Sequence, residues 1–430
     1  MFRAAIEKII LSYNFNIIHS YVMSTKKSST VELRQERTWV PCVGDFPILK
    51  KFFAQKEGPF WYAVHLFEIL LRGYGQIVFA NNPLSGLLII VTMAAVAPGT
   101  FVWSAATAVL GLLVSVTIRE PREIVENGIT VFNPLLVGVM SYNVIPRMYG
   151  PFDAFCFLLV FLGAILSVYL ARSLRSDKFS CTTWPFHLVE ILLIFAFSTQ
   201  NVLTKSTEPT FEMHNATSET TMMTTTANDA GFYDATDVYI NWGMILRGCV
   251  LSAPQMIGIE SVILGAVMYL AMLICSPTTI VFSFIGAFCG TLGALQLGVD
   301  HSKVYSGVWG YNSLLTAAAC GGNLLVLNGQ TAAVAVMGAI FASLLQYFLE
   351  SLFINTQLPI LALPFIISTS FLIKLSTGKE DLTFPWPVSP ISFPEKQRQD
   401  YLARCAALKE EEDTLEELEL VIQNEKGTSG

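Results

Sequence analysis

The sequence predicts an all-α polytopic membrane protein in which two inverted repeats of five spans each follow one another along the chain. Three observations predict this fold class: the chain is strongly apolar, its halves share scattered residues at one constant offset, and several apolar segments are too short to cross a bilayer. Internal repeats in an apolar chain are typical of membrane proteins whose functional path lies between two homologous halves.

The composition indicates a membrane protein. Hydrophobic residues make up 53% of the 430 residues and charged residues only 14%, against about 25% charged residues in an average soluble domain. The mean hydropathy is +0.54. The net charge of −7 comes largely from acidic residues near the C-terminus, so we expect no nucleic-acid partner. The eight cysteines are dispersed and lie mostly in apolar stretches, which favours buried apolar roles over a disulfide or a metal site.

The internal repeat is visible as a constant offset. Residues 70–190 align without a gap with residues 249–369, because scattered residues of the first stretch recur at the same step in the second. We call this step of 179 residues, the difference between positions 249 and 70, the repeat offset. Chance does not keep one offset over such a span. The recurring pairs include Gln76 and Gln255, Gly86 and Gly265, Pro98 and Pro277, Gly111 and Gly290, Gly128 and Gly307, Asn133 and Asn312, and Pro185-Phe186 and Pro364-Phe365.

Each half contains about five apolar segments and a short sixth one. In the first half they lie at roughly 60–75, 84–97, 100–118, 130–146, 151–173 and 184–198, and the second half repeats them from roughly 240 to 376. A helix over the 14 residues 84–97 is about 21 Å long, against about 30 Å for a hydrocarbon core. We therefore predict half-helices that begin at Asn82-Pro83, Trp184-Pro185 and Leu363-Pro364, meet at the midplane and line a path.

The polar segments divide the chain into five parts. A basic arm at 1–58 precedes the first membrane repeat at 59–198, a Thr-rich loop at 199–238 separates it from the second repeat at 239–377, and an acidic tail follows at 378–430. The loop contains the sequon Asn215-Ala216-Thr217, which predicts a glycosylated extracellular loop, although sequons also arise by chance in Thr-rich segments. The basic arm predicts cytosolic termini, and an odd number of spans per half makes the repeats inverted.

Two glutamines are the first candidate pore-lining residues. Gln76 and Gln255 occupy corresponding positions, and Gln76 lies shortly before the predicted half-helix start at Asn82-Pro83. An uncharged amide suits a neutral polar solute, because it offers both a donor and an acceptor. The alternative role is a hydrogen bond that braces two helices.

Further candidates surround the other predicted half-helices. Thr183 precedes one of them, where its hydroxyl either caps the helix or contacts a passing solute, and the corresponding residue of the second half is Ala362. A set of aromatic and leucine side chains also recurs, and paired rings suit a narrow slot for a flat molecule, with ordinary packing as the alternative. These residues are Phe132, Leu136, Tyr311 and Leu315.

These motifs resemble those of the urea transporters, over nearly all of residues 35–405. The resemblance rests on the run GQIVFANNPLSG that ends at Gly86, on the prolines of the Leu358-Pro359 and Pro364-Phe365 pattern, on residues 307–315, and on the tail motif Phe393-Pro394-Glu395. It implies a homotrimer in the plasma membrane, with one pore in each subunit. It also implies passive, channel-like transport of urea without a cofactor, and urea and membrane lipid as partners.

The resemblance assigns pore-lining roles residue by residue. Gln76 and Gln255 match the glutamines at the family's oxygen ladders, and Thr183 matches its central threonine. The residues that match its two aromatic slots are Phe79, Phe132 and Leu136 for the first, and Tyr311 and Leu315 for the second.

Three departures from the family pattern concern the solute. Ala362 stands where a second central threonine is usual, so one side of the midpoint loses a hydroxyl. Glu260-Ser261-Val262 replaces an Asp-Asn-Pro-like break, which predicts that this half-helix begins differently. His187 and Glu190 follow Thr183 in a half-helix that is usually uncharged.

Several alternatives remain open from the sequence. One is a proton-coupled transporter with Glu190 and His187 as a relay, another is a channel for ammonia or water, and a third is a non-conducting scaffold. An enzyme is not predicted, because no nucleophile, metal set or acid–base pair recurs at the candidate pore positions. The HxxE pairs His65–Glu68 and His187–Glu190 lack the further carboxylates of a metal site.

The glutamates of these pairs and the tail have other predicted roles. Buried ionisable groups in membrane proteins usually face an interior or a vestibule, so Glu68 and Glu190 are candidates for a vestibule or a subunit interface. A local ion pair or hydrogen bond to histidine is the alternative. For the acidic tail we predict a solvated segment, with an amphipathic helix as the alternative.

Overall fold

The structure is a computed structural model, which describes residues 43–149, 152–175, 183–207, 240–356, 358–375, 386–388 and 392–427. Within these residues the chain forms helices and short connections without a strand, which confirms the all-α prediction. The sequon residue Asn215 lies outside the described residues, as does most of the loop around it.

The first half begins with a short helix, α1, Pro47–Ala54. The helices that follow are α2 Pro59–Gly75, α3 Pro83–Val96, α4 Pro98–Thr117, α5 Arg122–Glu126, α6 Ile129–Tyr149, α7 Ala154–Ser173 and α8 Trp184–Thr207. Four of these helices open with proline, whose ring fixes the helical φ and whose missing N–H is not needed in the first turn. Helix α8 continues beyond the predicted end of the membrane segment at residue 198.

The second half contains α9 Trp242–Gln255, α10 Val262–Cys275, α11 Pro277–Gln296, α12 His301–Tyr305, α13 Tyr311–Ala318, α14 Gly329–Phe353 and α15 Leu363–Ile373. When the repeat offset is applied to α3, α4 and α5, it gives both the first and the last residues of α10, α11 and α12. Applied to the first residue of α8, it gives the first residue of α15. The helix bounds therefore follow the offset that the sequence shows.

Helix α10 begins at the position that corresponds to the start of α3, which corrects the expected difference at Glu260-Ser261-Val262. The side chain of Asn82 accepts a hydrogen bond from Leu84 N at 2.8 Å and caps α3. Ser261 does the same for α10, accepting from Leu264 N at 3.3 Å. Serine and asparagine are both good N-caps, so the helix start is kept although the residues differ.

Five of the described helices, α4, α6, α7, α11 and α14, are long and apolar enough to cross a membrane. Helix α2 and the turn after it bend by 81° from α3, which gives a broken span or a re-entrant loop. Three shorter apolar helices lie at Trp184–Ser198, Val262–Cys275 and Leu363–Ile373, and two of them begin at predicted half-helix starts. The chain is therefore a multi-pass membrane protein.

Helix α3, the second part of the bent span, packs against α10, the corresponding helix of the second half. The hydroxyl of Ser85 on α3 donates to the carbonyl of Ala271 on α10 at 2.7 Å. Close backbone approach holds each half-helix in place: a Cβ on Gly86 would lie 1.7 Å from Leu71 O, and a Cβ on Gly265 would lie 2.5 Å from Val250 O. Glycine is needed at such contacts because any side chain would collide with the backbone.

The acidic tail contains one long helix, α16, Pro394–Gly427. Residues 396–410 of this helix are largely exposed. The carboxylate of Glu395 accepts from the Ser276 hydroxyl and from Thr278 N, both at 2.9 Å, and so caps α11. Phe393 packs on Gly44, where an added Cβ would lie 2.5 Å from its ring. The motif Phe393-Pro394-Glu395 therefore fastens the tail to the helical body.

Candidate pore site

The two predicted glutamines make the same hydrogen bond in their respective halves. Gln76 follows α2, and its Nε2 donates to the backbone carbonyl of Asn127 at 3.1 Å. Gln255 ends α9, and its Nε2 donates to the backbone carbonyl of Ser306 at 2.9 Å. Positions 127 and 306 are again related by the repeat offset. The protein thus uses one of the two N–H donors of each amide, and the Oε1 oxygens have no hydrogen-bond partner in the part of the chain that the structure describes.

The backbone around these glutamines is shaped by residues with positive φ. Phe79, with φ of 58°, lies in the turn where the chain bends by 81° between α2 and α3, and Ala80 N donates to Gly75 O at 3.0 Å across this turn. Gly128 and Gly307 follow the two acceptor carbonyls and have φ of +70° and +81°. Side chains strain such a conformation, which explains why both positions hold glycine.

The half-helices α8 and α15 are capped by asparagines from neighbouring helices. Asn133 Oδ1, on α6, accepts from Phe186 N at 3.2 Å. Asn312 Oδ1, on α13, accepts from Phe365 N at 3.3 Å. Ala362, at the N-cap position of α15, makes no side-chain cap bond. The asparagine therefore supplies the acceptor that Ala362 lacks, and this role was not predicted from the sequence.

The two residues predicted at the midpoint lie at the starts of these half-helices. Thr183 is buried directly before α8, and its carbonyl accepts from His187 N at 3.0 Å. The indole Nε1 of Trp184 donates to the Ser370 hydroxyl on α15 at 2.9 Å, which joins the two half-helices. The alanine at position 362 makes the two ends chemically unequal, since only Thr183 carries a hydroxyl.

The predicted slot residues fall into two apolar clusters. Tyr311 and Leu315 pack with Phe365 in a cluster that Phe79 and Ala362 also contact. The rings of Phe79 and Phe365 lie edge to face, with centroids 6.4 Å apart, and the Tyr311 hydroxyl donates to the Leu361 carbonyl. The structure thus brings Phe79 to the second-half slot residues, whereas the resemblance assigned it to the first slot.

The other two slot residues, Phe132 and Leu136, belong to the larger core cluster. Met256 contacts both clusters and directly follows Gln255. Met256 therefore links the two clusters of slot residues. It corresponds to Ile77 in the repeat, and this contact was not predicted from the sequence.

His187 and Glu190 on α8 are buried and do not pair with each other. The Ser141 hydroxyl lies 3.1 and 3.0 Å from the two carboxylate oxygens of Glu190, to which it donates. Both ring nitrogens of His187 lack a hydrogen-bond partner among the described residues. The geometry shows no hydrogen bond between this histidine and this glutamate, so the local pair considered from the sequence is not formed.

Glu68 lies in a different setting, at a buried charged cluster beside Gln76. Arg72 is fully buried and donates to the Glu68 carboxylate, to Asp45 O at 3.0 Å and to Asn81 O at 2.8 Å. His65 Nδ1 lies 3.4 Å from the same glutamate. His65 is therefore within ion-pair distance of Glu68, as the sequence alternative expected, but the main partner is Arg72, which was not predicted from the sequence.

The corresponding region of the second half carries an exposed pair. Arg247, at the position equivalent to Glu68, lies 3.5 Å from Glu260, and the two side chains are 39% and 52% exposed. The charged cluster is thus a feature of the first half alone within the described residues. Burial lowers the pKa of Lys50, at the edge of that cluster, below its ordinary value, and the positive charge of Arg72 adds to this effect.

A helical membrane protein with a sharply bent span in its first half, and a matched glutamine amide in each half, has the architecture of a solute transporter or channel. The sequence matches the family profile described as urea transporter over residues 67–377, which is more than two thirds of the chain. The chain belongs to the urea transporter family, which confirms both the resemblance and the prediction that it is not an enzyme.

Similar proteins carry the same family name. Urea transporter 1 of Ovis aries is 24% identical over 340 residues, which cover 79% of this chain and 84% of that protein. Urea transporter 1 of Rattus norvegicus is 24% identical over 343 residues, which cover 77% of this chain and 83% of that protein.

Proposed function

We propose that this protein conducts urea passively across the plasma membrane, through a pore between two inverted halves. The observation that carries the proposal is the matched pair of glutamines, each with its amide nitrogen bound to a backbone carbonyl. Family membership and relatives named Urea transporter 1 support urea as the solute. We include Gln76, Gln255, Thr183 and the slot residues in the pore lining.

The chemistry of urea suits these groups. Urea is flat, with N–H donors along two edges and one carbonyl acceptor. The free Oε1 oxygens of Gln76 and Gln255 accept from its N–H groups, and the Thr183 hydroxyl adds a further acceptor near the midpoint. Rings such as Phe79 and Tyr311 contact its flat faces. Each contact is weak, which favours conduction because a solute held tightly at one site does not leave.

The helix bounds support the inverted arrangement that we propose for the two halves. The same elements recur at the repeat offset, and the basic arm and the Thr-rich loop favour opposite sides of the membrane. We therefore place both termini in the cytosol and the loop around Asn215, with its glycan, outside the cell. The proposed homotrimer, with one pore per subunit and lipid around it, rests on the family resemblance.

Removing either glutamine amide should slow urea transport. Gln76→Leu and Gln255→Leu each remove one acceptor, and we expect urea permeability to fall by about fivefold to tenfold, the effect of one lost hydrogen bond. Stopped-flow light scattering on proteoliposomes measures this rate. Gln296→Leu, at an exposed position at the end of α11, is the matched control. Wild-type permeability in both pore variants would contradict the proposed roles of the glutamines.

The midpoint gives a second test, which also separates a channel from a proton-coupled transporter. We expect Thr183→Val to lower urea permeability by about threefold to tenfold, because it removes a hydroxyl without changing the side-chain shape. Ala362→Thr restores the second hydroxyl and should leave permeability equal to or above that of the wild type. The urea permeability of the wild type and of both variants is measured in proteoliposomes with and without a proton gradient.

The outcomes of this test differ for the competing functions. For a channel, the urea flux does not depend on the proton gradient. Flux that follows the gradient would favour coupling through Glu190 and His187. A folded wild type without urea flux would contradict the proposed function altogether, and ammonia and water permeability would then be measured on the same vesicles.

A further inference from the structure

Residues 44–50 precede the region that the family profile covers, yet they bind the residues around Gln76. Gly44 O accepts from Asn82 Nδ2 at 2.8 Å. Asp45 O accepts from Arg72 at 3.0 Å. Lys50 Nζ, on α1, donates to Asn127 Oδ1 at 2.8 Å. Three bonds thus fasten this segment, which we call the α1 latch, to the first-half end of the proposed pore.

Asn127 connects the α1 latch to the glutamine. Its backbone carbonyl accepts from Gln76 Nε2 at 3.1 Å. Its side-chain oxygen accepts from Lys50 Nζ and from Asn81 Nδ2, both at 2.8 Å, and its Nδ2 donates to Glu123 O at 2.6 Å. The side chain binds three different segments, which set its position, and the carbonyl that orients Gln76 moves with it.

The second half is built differently at the equivalent position. The carbonyl that binds Gln255 belongs to Ser306, whose hydroxyl donates to Lys303 O at 2.8 Å within the same short turn of chain. The second-half acceptor is therefore held by its own loop. The first-half acceptor depends in addition on Lys50, a residue from outside the repeat.

We propose that Lys50 and Asn127 are positioning residues that orient the Gln76 amide, so that the α1 latch sets how strictly the first-half end of the pore selects its solute. The inference rests on the proposed function. Lys50 also lies 3.6 Å from the Asp45 carboxylate. Its removal therefore loosens the α1 latch at two points. The solutes are small planar amides. Selectivity between them depends on how many of their N–H groups can donate to Oε1 of the oriented Gln76 side chain.

The test compares urea with 1,3-dimethylurea, which has the same carbonyl but half the N–H donors. Wild type, Lys50→Met, Asn127→Ser and the double variant are assayed in proteoliposomes for the permeability of both solutes. Asn127→Ser gives the first half the residue that stands at position 306. Lys51→Met is the matched control, because Lys51 is exposed on the same helix and the charge change is identical.

We expect each single variant to lower the urea-to-dimethylurea permeability ratio by about threefold, as the loss of one hydrogen bond to a positioning group would. The double variant should change the ratio no more than either single variant, because both act through one carbonyl. Lys51→Met should keep the wild-type ratio.

Two results would overturn the inference. A merely structural role for Lys50 lowers both permeabilities in proportion and leaves the ratio unchanged. Full additivity in the double variant would mean that Lys50 and Asn127 act independently. Failure of the proposed function is distinguishable from both, since it shows as absent urea flux in the wild type itself.

Discussion

Arg72→Met is expected to lower the free energy of unfolding by about 3 to 5 kcal/mol, the usual cost of breaking one partner out of a buried ion pair. The side chain is fully buried and binds Glu68, Asp45 O and Asn81 O. Methionine fills a similar volume but leaves Glu68 without its nearest cation and removes the Arg72 donor from two carbonyls.

The second half supplies the control for this prediction. Arg247 and Glu260 form an exposed pair, and such pairs contribute about 0 to 1 kcal/mol. Arg247→Met should therefore leave stability almost unchanged. Denaturant titration in mixed micelles, monitored by tryptophan fluorescence, gives the free energy of unfolding of Arg72→Met and of Arg247→Met. Restoring charge balance with Glu68→Met in the Arg72→Met background should recover part of the loss. Equal losses for Arg72→Met and Arg247→Met would contradict the buried role.

Gly86→Ala is expected to prevent correct assembly of the first broken span, at a cost of about 3 kcal/mol or more. The new Cβ would lie 1.7 Å from the Leu71 carbonyl. That oxygen belongs to the backbone of α2, so no side-chain rotation relieves the collision. The two helices must separate, and Gln76 lies in the turn between them. Urea flux should be lost together with stability.

A graded set of glycine variants checks this expectation. Gly265→Ala places its Cβ 2.5 Å from Val250 O, a milder collision, and Gly329→Ala meets nothing within 4 Å at the start of α14. Fluorescence-detected size-exclusion chromatography in detergent measures the folded yield. We expect the yield to be lowest for Gly86→Ala, higher for Gly265→Ala and highest for Gly329→Ala. Gly329→Ala should match or slightly exceed wild type, since alanine restricts the unfolded chain. A normal yield for Gly86→Ala would rule out the close approach.

The sequence predicted the helix starts well because they depend on local chemistry. Proline at the first helical position and a capping side chain before it are enough to define where α3 begins, and Ser261 is enough for α10. The altered residues at 260–262 predicted a different start because their identities differ from those of the first half, whereas serine and asparagine share the ability to cap a helix.

The sequence predicted candidate pore residues only where the same side chain recurs at corresponding positions of the two halves. Gln76 and Gln255 were found because both are glutamine. Their acceptors at Asn127 and Ser306 were not, because a backbone carbonyl leaves no mark in residue type.

Tertiary packing decides the remaining contacts. Asn133 and Asn312 recur visibly, but their capping of α8 and α15 depends on how the helices pack. The ring of Phe79, which the resemblance assigned to the first slot, contacts the second-half cluster for the same reason, because the bend after Gln76 decides where the ring lies.

The cap that Glu395 provides for α11 has a consequence for biosynthesis. Thr278 N receives its acceptor from a residue 117 positions later in the chain. At about 5 to 20 residues per second, the ribosome takes on the order of ten seconds to reach that glutamate after α11 has begun to emerge. Until then Ser276 already caps Thr279 N at 3.1 Å, but Thr278 N lacks its acceptor. A chain that ends before the Phe393-Pro394-Glu395 motif therefore inserts α11 with one N–H of its first turn unsatisfied.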